Sequence, residues 1–304
     1  MRTAFHDIID DHTVTPYTSS SKDDVWDALK VLFTDTNNSD NIILSYSRRS
    51  EAKGNSGQTT GWNREHIWCN SYGIDSNEPA YTDLFNLLPA DWNVNSSRGN
   101  LFYDSSDSDD SSYKVPGFHE APLTSRDSNS WEPPDTIKGD VARASFYMDL
   151  RYDGNASDEP DLILTNETDL ISSSNTRFGK LSTLLIWHQL DPVSLEEIER
   201  NRLIYELYQK NRNPFIDYPE LALALHKENE NPLIFLSASY YTDTESFDVK
   251  GLLNNEVADG EINLTIGNHT MGGDPKFGKS KFFFARYAYK GKVFELTLSE
   301  GDTL

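Results

Sequence analysis

The residues best suited to chemistry in this chain are Glu65 and His66, which stand side by side within segment 62–68. An imidazole with a pKa of about 6.5 is largely unprotonated at neutral pH and can act as a general base. The neighbouring carboxylate can hold a hard cation such as Mg²⁺, and Asn95 offers an amide oxygen to the same ion. Arg98 can bind a phosphate through two hydrogen bonds. These groups suit phosphodiester hydrolysis, which needs a nucleophilic water, charge stabilisation and a proton for the departing oxygen.

A β-strand is the element expected to carry Glu65 and His66, because Trp62, Ile67 and Trp68 around them favour extended backbone. Neighbouring residues of a strand point to opposite faces of the sheet. The pair can therefore address one substrate together only at a strand end or a bulge. We predict such a break here.

Two further elements are predicted between residues 84 and 99. The apolar run 84–88 indicates a second strand that stops before Pro89. Asp91 is predicted to cap a short helix that carries Asn95, and Gly99 to end it. The expected order is strand, strand, helix.

Three motifs carry a family resemblance. They read Trp-Asn-Arg-Glu-His at 62–66, Thr-Asp-Leu-Phe-Asn-Leu-Leu-Pro-Ala-Asp at 82–91 and Val-Asn-Ser-Ser-Arg-Gly-Asn at 94–100. The chain thereby resembles the endonuclease I family, secreted and periplasmic nucleases of the ββα-metal (His-Me finger) group. The likeness continues through segments 138–148, 187–194 and 211–217 and covers roughly residues 1 to 226.

Three positions depart from the pattern of that family. Phe85 stands where the family usually has His, Cys69 where it usually has Pro, and Leu88 where Arg is common. None of these departures removes a residue that the expected chemistry needs.

The resemblance implies a division of labour among the central residues. His66 would be the general base, its ring held by a backbone carbonyl near Tyr81, while Glu65 and Asn95 would hold one Mg²⁺, or Mn²⁺ or Ca²⁺ in its place. Phosphate contacts would come from Arg98 and from Arg64. Contacts confined to phosphate and sugar carry no sequence information, so the expected activity is a non-specific endonuclease on DNA and RNA that leaves 5′-phosphate ends.

Composition sets bounds on this expectation. One cysteine, Cys69, excludes an internal disulfide framework and a Cys-rich zinc site, and no apolar run approaches the ~18 residues of a membrane span. The net charge of −22 opposes long-range steering of a polyanion. Either the acidic excess is a solvated shell suited to saline surroundings, which we favour, or the protein does not bind nucleic acid.

Two alternative functions stay open. The protein could be a catalytically silent binding protein whose C-terminal β region contacts a surface or polysaccharide, or a metal-dependent phosphodiesterase of small substrates. The Asp-rich run 104–110 has oxygen ligands that Ca²⁺ prefers, but it lacks the EF-hand spacing and is interpreted as a surface loop.

The predicted fold class is α+β, with a ββα-metal motif set in a mainly helical nuclease domain over 1–231 and a small β-rich accessory domain over 232–304. Strands are predicted at 233–236, 247–249, 262–266, 281–289 and 293–298, with a hairpin turn at Lys290-Gly291. Because the N-terminus lacks the apolar core of a signal peptide, the protein either stays inside the cell or has lost a leader. The resemblance favours a secreted or periplasmic monomer.

Overall fold

The chain contains both helices and sheets, in agreement with the predicted α+β class. The computed structural model describes residues 2–156, 159–226, 233–257, 261–289 and 292–304. The chain is divided into two compact units, Met1–His226 and Lys227–Leu304. Within the described ranges, none of the helices combines the length and apolar character needed to cross a bilayer.

The first unit alternates short helices with short, separate sheets. Its described helices are α1 (Arg2–Ile9), α2 (Val25–Leu32), α3 (Trp92–Arg98), α4 (Lys138–Arg151), α5 (Leu181–Leu190), α6 (Leu195–Leu203), α7 (Pro214–Asp217) and α8 (Leu221–Leu225). Its described strands are β1 (Thr34–Asp35), β2 (Asn38–Ile43), β3 (Ser50–Ala52), β4 (Trp62–His66), β5 (Leu87–Asp91), β6 (Phe102–Tyr103), β7 (Ser125–Arg126), β8 (Ser130–Glu132), β9 (Ile163–Leu164) and β10 (Arg177–Phe178). Strands β4 and β5 form an antiparallel sheet of their own.

Helix α4 runs through the core of the first unit and is buried along nearly its whole length. Small residues let its neighbours approach closely. At Gly139 a Cβ atom would clash with the carbonyl oxygen of Asp191, just after α5. Arg143, also on α4, is fully buried and donates to both carboxylate oxygens of Glu197 on α6, at 2.7 and 2.6 Å.

A buried carboxylate ties the loop before β5 to α4. Asp83 is wholly inaccessible and accepts hydrogen bonds from the hydroxyls of Tyr147 (2.9 Å) and Tyr152 (2.7 Å) and from Nε2 of Gln209 (3.1 Å). A buried charge is tolerated only when it is hydrogen-bonded in this way. Asp83, the first of the two aspartates in the 82–91 motif, is therefore a structural anchor.

Replacing Tyr152 with phenylalanine is expected to lower the free energy of unfolding by about 1.5–3 kcal/mol, the range for a buried hydrogen bond to a charged group. Urea unfolding curves measure the loss. The matched control is Tyr72→Phe, whose hydroxyl donates to the Asn100 carbonyl at 2.7 Å in an exposed bond and should matter less. Equal losses in both variants would contradict the anchoring role of Asp83.

The second unit is built on one antiparallel sheet in the order β12-β11-β13-β14. Its described elements are β11 (Ile234–Tyr241), β12 (Ser246–Asp248), α9 (Lys250–Glu256), β13 (Phe282–Tyr289) and β14 (Lys292–Ser299). Phe235, Tyr240, Leu253 and Phe283 are among its buried core residues.

Most of the strands predicted for this unit are observed, but one predicted strand is wrong and one observed helix was not predicted. The prediction of a strand at 262–266 is wrong, since among the described residues that segment pairs with residues 301–304 through an isolated bridge at Thr265 and Thr303 and a few backbone hydrogen bonds, without forming a regular strand. Helix α9 was not predicted, because Leu252 and Leu253 give it too short an apolar pattern. The predicted turn at Lys290-Gly291 lies outside the described residues.

Candidate active site

The first candidate residues, Glu65 and His66, lie at the very end of β4. Pairing with β5 is regular up to His66, which stands opposite Leu87. The predicted break is therefore a strand end, and the prediction is confirmed in that form. Beyond it, the side chain of Asn86 clamps the chain: it accepts from the Trp68 amide (2.7 Å) and donates to the Trp68 carbonyl (3.2 Å).

The second strand differs from its prediction. Strand β5 begins at Leu87 and runs through Pro89 to Asp91, whereas the sequence predicted that it would stop at the proline. Proline is tolerated because β5 has a partner on one side only. The Pro89 carbonyl is still used, accepting from the Ser45 amide at 2.8 Å.

Helix α3 follows β5 directly, so the predicted order of strand, strand and helix is observed. Gly99 ends the helix with a positive φ of 55°, as predicted. The expected cap is wrong: Asp91 makes no side-chain capping bond, because its carboxylate accepts instead from Nε of Arg49 at 3.0 Å.

The imidazole of His66 is fixed in one orientation. Its Nε2 lies 2.9 Å from the carbonyl oxygen of Tyr81, so Nε2–H donates and Nδ1 keeps its lone pair. This confirms the predicted carbonyl. The rings of Tyr17 and Tyr81 pack beside it, with centroids 6.0 and 4.8 Å away, and on each other, with centroids 4.7 Å apart. Burial, helped by the positive charge of Arg64, lowers the pKa of His66 to about 4, so the ring is neutral at pH 7.

Glu65 is buried, with 3% of its surface exposed. Its Oε1 accepts from the hydroxyl of Tyr46 at 2.9 Å and from Nη1 of Arg98 at 2.8 Å. Burial raises the pKa of the carboxyl, and the charge of Arg98 opposes that rise. Among the described residues both hydrogen bonds to this carboxylate go to Oε1, which leaves Oε2 as the oxygen able to bind a cation.

Asn95 lies on α3, half-buried, and its amide Nδ2 donates to the Arg64 carbonyl at 3.2 Å. Because Nδ2 is bound to the backbone of β4, Oδ1 is left as the atom that can bind a cation. Carboxylate and amide oxygens are hard donors, and two of them leave most of an octahedral shell to water and phosphate oxygens, as Mg²⁺ prefers. The donor set of Glu65 and Asn95 therefore fits the expected ion.

The phosphate-binding role predicted for Arg98 must be corrected. Its guanidinium is buried, with 1% of the residue exposed. Besides Glu65 it donates to the backbone carbonyls of His66 (2.7 Å), Ile67 (2.8 Å) and Leu101 (3.0 Å). A side chain with its donors engaged in this way holds the site together and does not reach a substrate phosphate.

Arg64 is half-buried between two aromatic rings. Its Cζ lies 3.4 Å from the ring centroid of Tyr17 and 4.0 Å from that of Trp26. One Nη atom also donates to the Tyr17 carbonyl and, at 3.2 Å, to Thr18 Oγ1. Burial lowers its pKa from the ordinary arginine value. A phosphate contact by Arg64 stays a prediction.

The candidate residues are connected through neighbours. Among the described residues no hydrogen bond joins Glu65, His66 and Asn95 to one another. Arg98 links the Glu65 carboxylate to the His66 backbone, and Asn95 is bonded to the carbonyl that precedes Glu65. Strand β4 and helix α3 are thus joined by hydrogen bonds at the point where the chemistry is expected.

Sequence reasoning missed Tyr46 and Tyr103, which complete the surroundings of Glu65. Their hydroxyls lie 2.6 Å apart, and both residues are fully buried. Neither stands in a motif with a recognisable pattern. Only their place after the short apolar or aromatic runs 42–44 and 101–102 hints at burial.

A separate group of one histidine and two aspartates lies on α1 and just after its end. Among the described residues, His6, Asp7 and Asp10 form the group of His, Cys, Asp and Glu close enough to hold a metal ion. The His6 ring nitrogens already face Asp7 at 3.7 Å and Asp153 at 3.2 Å. Both ring nitrogens of His6 therefore already have a carboxylate of the protein as a neighbour.

A neutral imidazole held by a carbonyl, beside a carboxylate and an amide oxygen, is a set of groups that can activate water and bind a hard cation. The chain belongs to the Endonuclease I family, whose family model matches residues 1–220. It is 44% identical over 224 residues to an extracellular ribonuclease of Bacillus amyloliquefaciens and 42% identical over 224 residues to one of Bacillus subtilis strain 168. Each match covers 73% of this chain and 72% of the relative. These similarities support a nuclease, and hence a phosphodiester hydrolase.

Proposed function

We propose that this protein is a non-specific, metal-dependent endonuclease that hydrolyses phosphodiester bonds of RNA and DNA and leaves 5′-phosphate ends. Strands β4 and β5 with helix α3 would be its ββα-metal (His-Me finger) motif. The observation that carries the proposal is the His66 ring, neutral and held through Nε2 by the Tyr81 carbonyl. Membership of the Endonuclease I family supports it.

The chain's own residues divide the work as follows. His66 takes a proton from the attacking water at Nδ1, the nitrogen that the Tyr81 bond leaves unprotonated. The water oxygen then bonds to phosphorus as the bond to the 3′ oxygen breaks. The 3′ oxygen takes up a proton from solvent and leaves as a hydroxyl, so the phosphate stays on the 5′ side. Tyr17 and Tyr81 keep the imidazole in place. Arg98 acts as a positioning residue, because it fixes Glu65 and the His66 backbone.

Glu65 and Asn95 would hold one Mg²⁺ through Oε2 and Oδ1, with Mn²⁺ or Ca²⁺ able to take its place. When bound, the cation supplies positive charge against the negative charge that develops on the departing oxygen. A second ion is not required, since the base is already provided by His66.

An external water as nucleophile means that the 2′-hydroxyl of RNA takes no part. The two relatives are named extracellular ribonucleases, so RNA is proposed as a substrate and DNA as well. The test is to digest labelled RNA and DNA of the same sequence with Mg²⁺ and with EDTA. The proposal expects cleavage of both, 5′-phosphate ends and no activity in EDTA; a 2′,3′-cyclic phosphate product from RNA would overturn it.

The proposal extends to the layout and location of the protein. Residues 1–231 would be the nuclease domain, and residues 232–304 an accessory β-rich domain. Because both relatives are named as extracellular, we propose that this protein is secreted too. The proposal takes it to act as a monomer.

Binding of nucleic acid is expected to depend weakly on salt. Two cations around the site are occupied by protein groups, Arg98 as described and Arg49 by Asp91 and Glu51, while Arg64 stays a candidate phosphate contact. Each phosphate contact adds about 0.9 to the slope of log K against log salt on duplex DNA. We expect a slope shallower than about −2, and activity that persists at several hundred millimolar NaCl. Fluorescence titration of labelled duplex with the His66→Ala variant measures it, and a slope of about −5 or steeper would contradict the expectation.

A further inference from the structure

A chain of buried hydroxyls leads to the candidate metal ligand Glu65. The hydroxyl of Tyr46 lies 2.9 Å from Glu65 Oε1 and 2.6 Å from the hydroxyl of Tyr103. Arg98 completes the group, with its Cζ 4.5 Å from the centroid of the Tyr103 ring. Tyr46, Tyr103, Glu65 and Arg98 are all at least 97% buried, so water does not compete for these bonds.

The direction of the hydrogen bonds follows from the count of hydrogens. A tyrosine hydroxyl has one hydrogen, and Tyr46 gives it to the carboxylate of Glu65. The hydrogen between the two hydroxyls must therefore come from Tyr103. The relay runs from Tyr103 to Tyr46 to Glu65.

Two donors now converge on one oxygen of Glu65. Tyr46 and Arg98 both bind Oε1, from a neutral hydroxyl and a charged guanidinium. Among the described residues Oε2 accepts no hydrogen bond. Rotation of the carboxylate would break both hydrogen bonds to Oε1, so the two oxygens cannot readily exchange places. The geometry presents Oε2 with its lone pairs unshared.

We propose that Tyr46, supported by Tyr103, is a positioning residue that selects Oε2 of Glu65 as the oxygen offered to the cation. This inference rests on the proposed function of Glu65 as a metal ligand. Partners of a metal ligand orient it, and their removal typically weakens the metal by about 10- to 100-fold.

A merely structural role predicts something different. Buried tyrosine hydroxyls need a partner for stability alone, as those of Tyr147 and Tyr152 at Asp83 show. Removal of Tyr46 Oη would then lower the stability of the first unit and leave the affinity for a cation unchanged. Cation affinity, and not activity, is therefore the deciding measurement.

The experiment is isothermal titration of the full chain with Mn²⁺ alone. The reference is the binding event that Glu65→Gln abolishes. Tyr46→Phe should raise the Kd of that event by at least about tenfold, and Tyr103→Phe by a smaller factor. The matched control is Tyr152→Phe, which removes the same kind of bond from Asp83 and should leave this Kd within about twofold of the wild-type value.

An unchanged Kd in Tyr46→Phe overturns the inference while Glu65 keeps its proposed role. If Tyr46→Phe does not fold, Tyr103→Phe decides, because its hydroxyl does not touch Glu65. If Glu65→Gln binds Mn²⁺ as the wild type does, the proposed function loses its metal ligand, and that failure is distinguishable from failure of the relay.

Discussion

Replacing His66 with alanine should lower kcat on RNA and on DNA by about 10²–10⁴-fold, the usual contribution of a general base. The physical reason is that the variant lacks Nδ1 of His66, the atom proposed to accept the proton of the attacking water. Initial rates at saturating Mg²⁺ measure the effect. His269→Ala is the control, since this exposed histidine lies in the second unit.

Small-molecule rescue sharpens that test. Removing the ring leaves a slot beside the rings of Tyr17 and Tyr81, which pack on each other with centroids 4.7 Å apart. Added imidazole should enter the slot and restore part of the activity of His66→Ala, while leaving the wild type unchanged. A His66→Ala rate within about threefold of the wild-type rate would assign the base to another residue.

The second large effect concerns stability. Arg98→Met should lower the free energy of unfolding by about 3–5 kcal/mol, because it leaves the buried charge of Glu65 without its partner. Urea unfolding followed by tryptophan fluorescence measures it. The double variant Arg98→Met/Glu65→Gln should recover part of the loss, since the unpaired charge is then gone.

A matched buried pair provides the control for Arg98. Arg143→Met breaks the ion pair with Glu197 and should destabilise the protein similarly, but without weakening Mn²⁺ binding at Glu65. An Arg98→Met variant that keeps full stability and loses only affinity for nucleic acid would restore the phosphate-binding role predicted from the sequence.

Local patterns predicted the elements of the candidate site well. The aromatic run 62–68 indicated β4, and Gly99 indicated the end of α3, because both depend on backbone preferences of the residues themselves. The Tyr81 carbonyl was also correctly predicted, though only from the family resemblance.

Partner choice by charged side chains was predicted poorly, because it depends on residues distant in sequence. Asp91 was expected to cap α3 and instead binds Arg49. Residues 194–197, Ser-Leu-Glu-Glu, have the pattern of a capping box, in which Ser194 and Glu197 satisfy each other's backbone amides, and Ser194 does accept from the Glu197 amide at 3.1 Å. The other half fails because Glu197 is bound by Arg143 from α4. Arg98 was likewise predicted to bind phosphate, whereas in the structure it binds Glu65.

A single guanidinium on α3 holds the carboxylate of one residue and the main chain of the next two. If α3 moves away on heating, the Glu65 carboxylate and the His66 backbone lose their hydrogen bonds to Arg98 at the same time. The loss of activity with temperature should therefore coincide with the cooperative unfolding of the first unit. We expect no temperature range in which the first unit is folded but inactive.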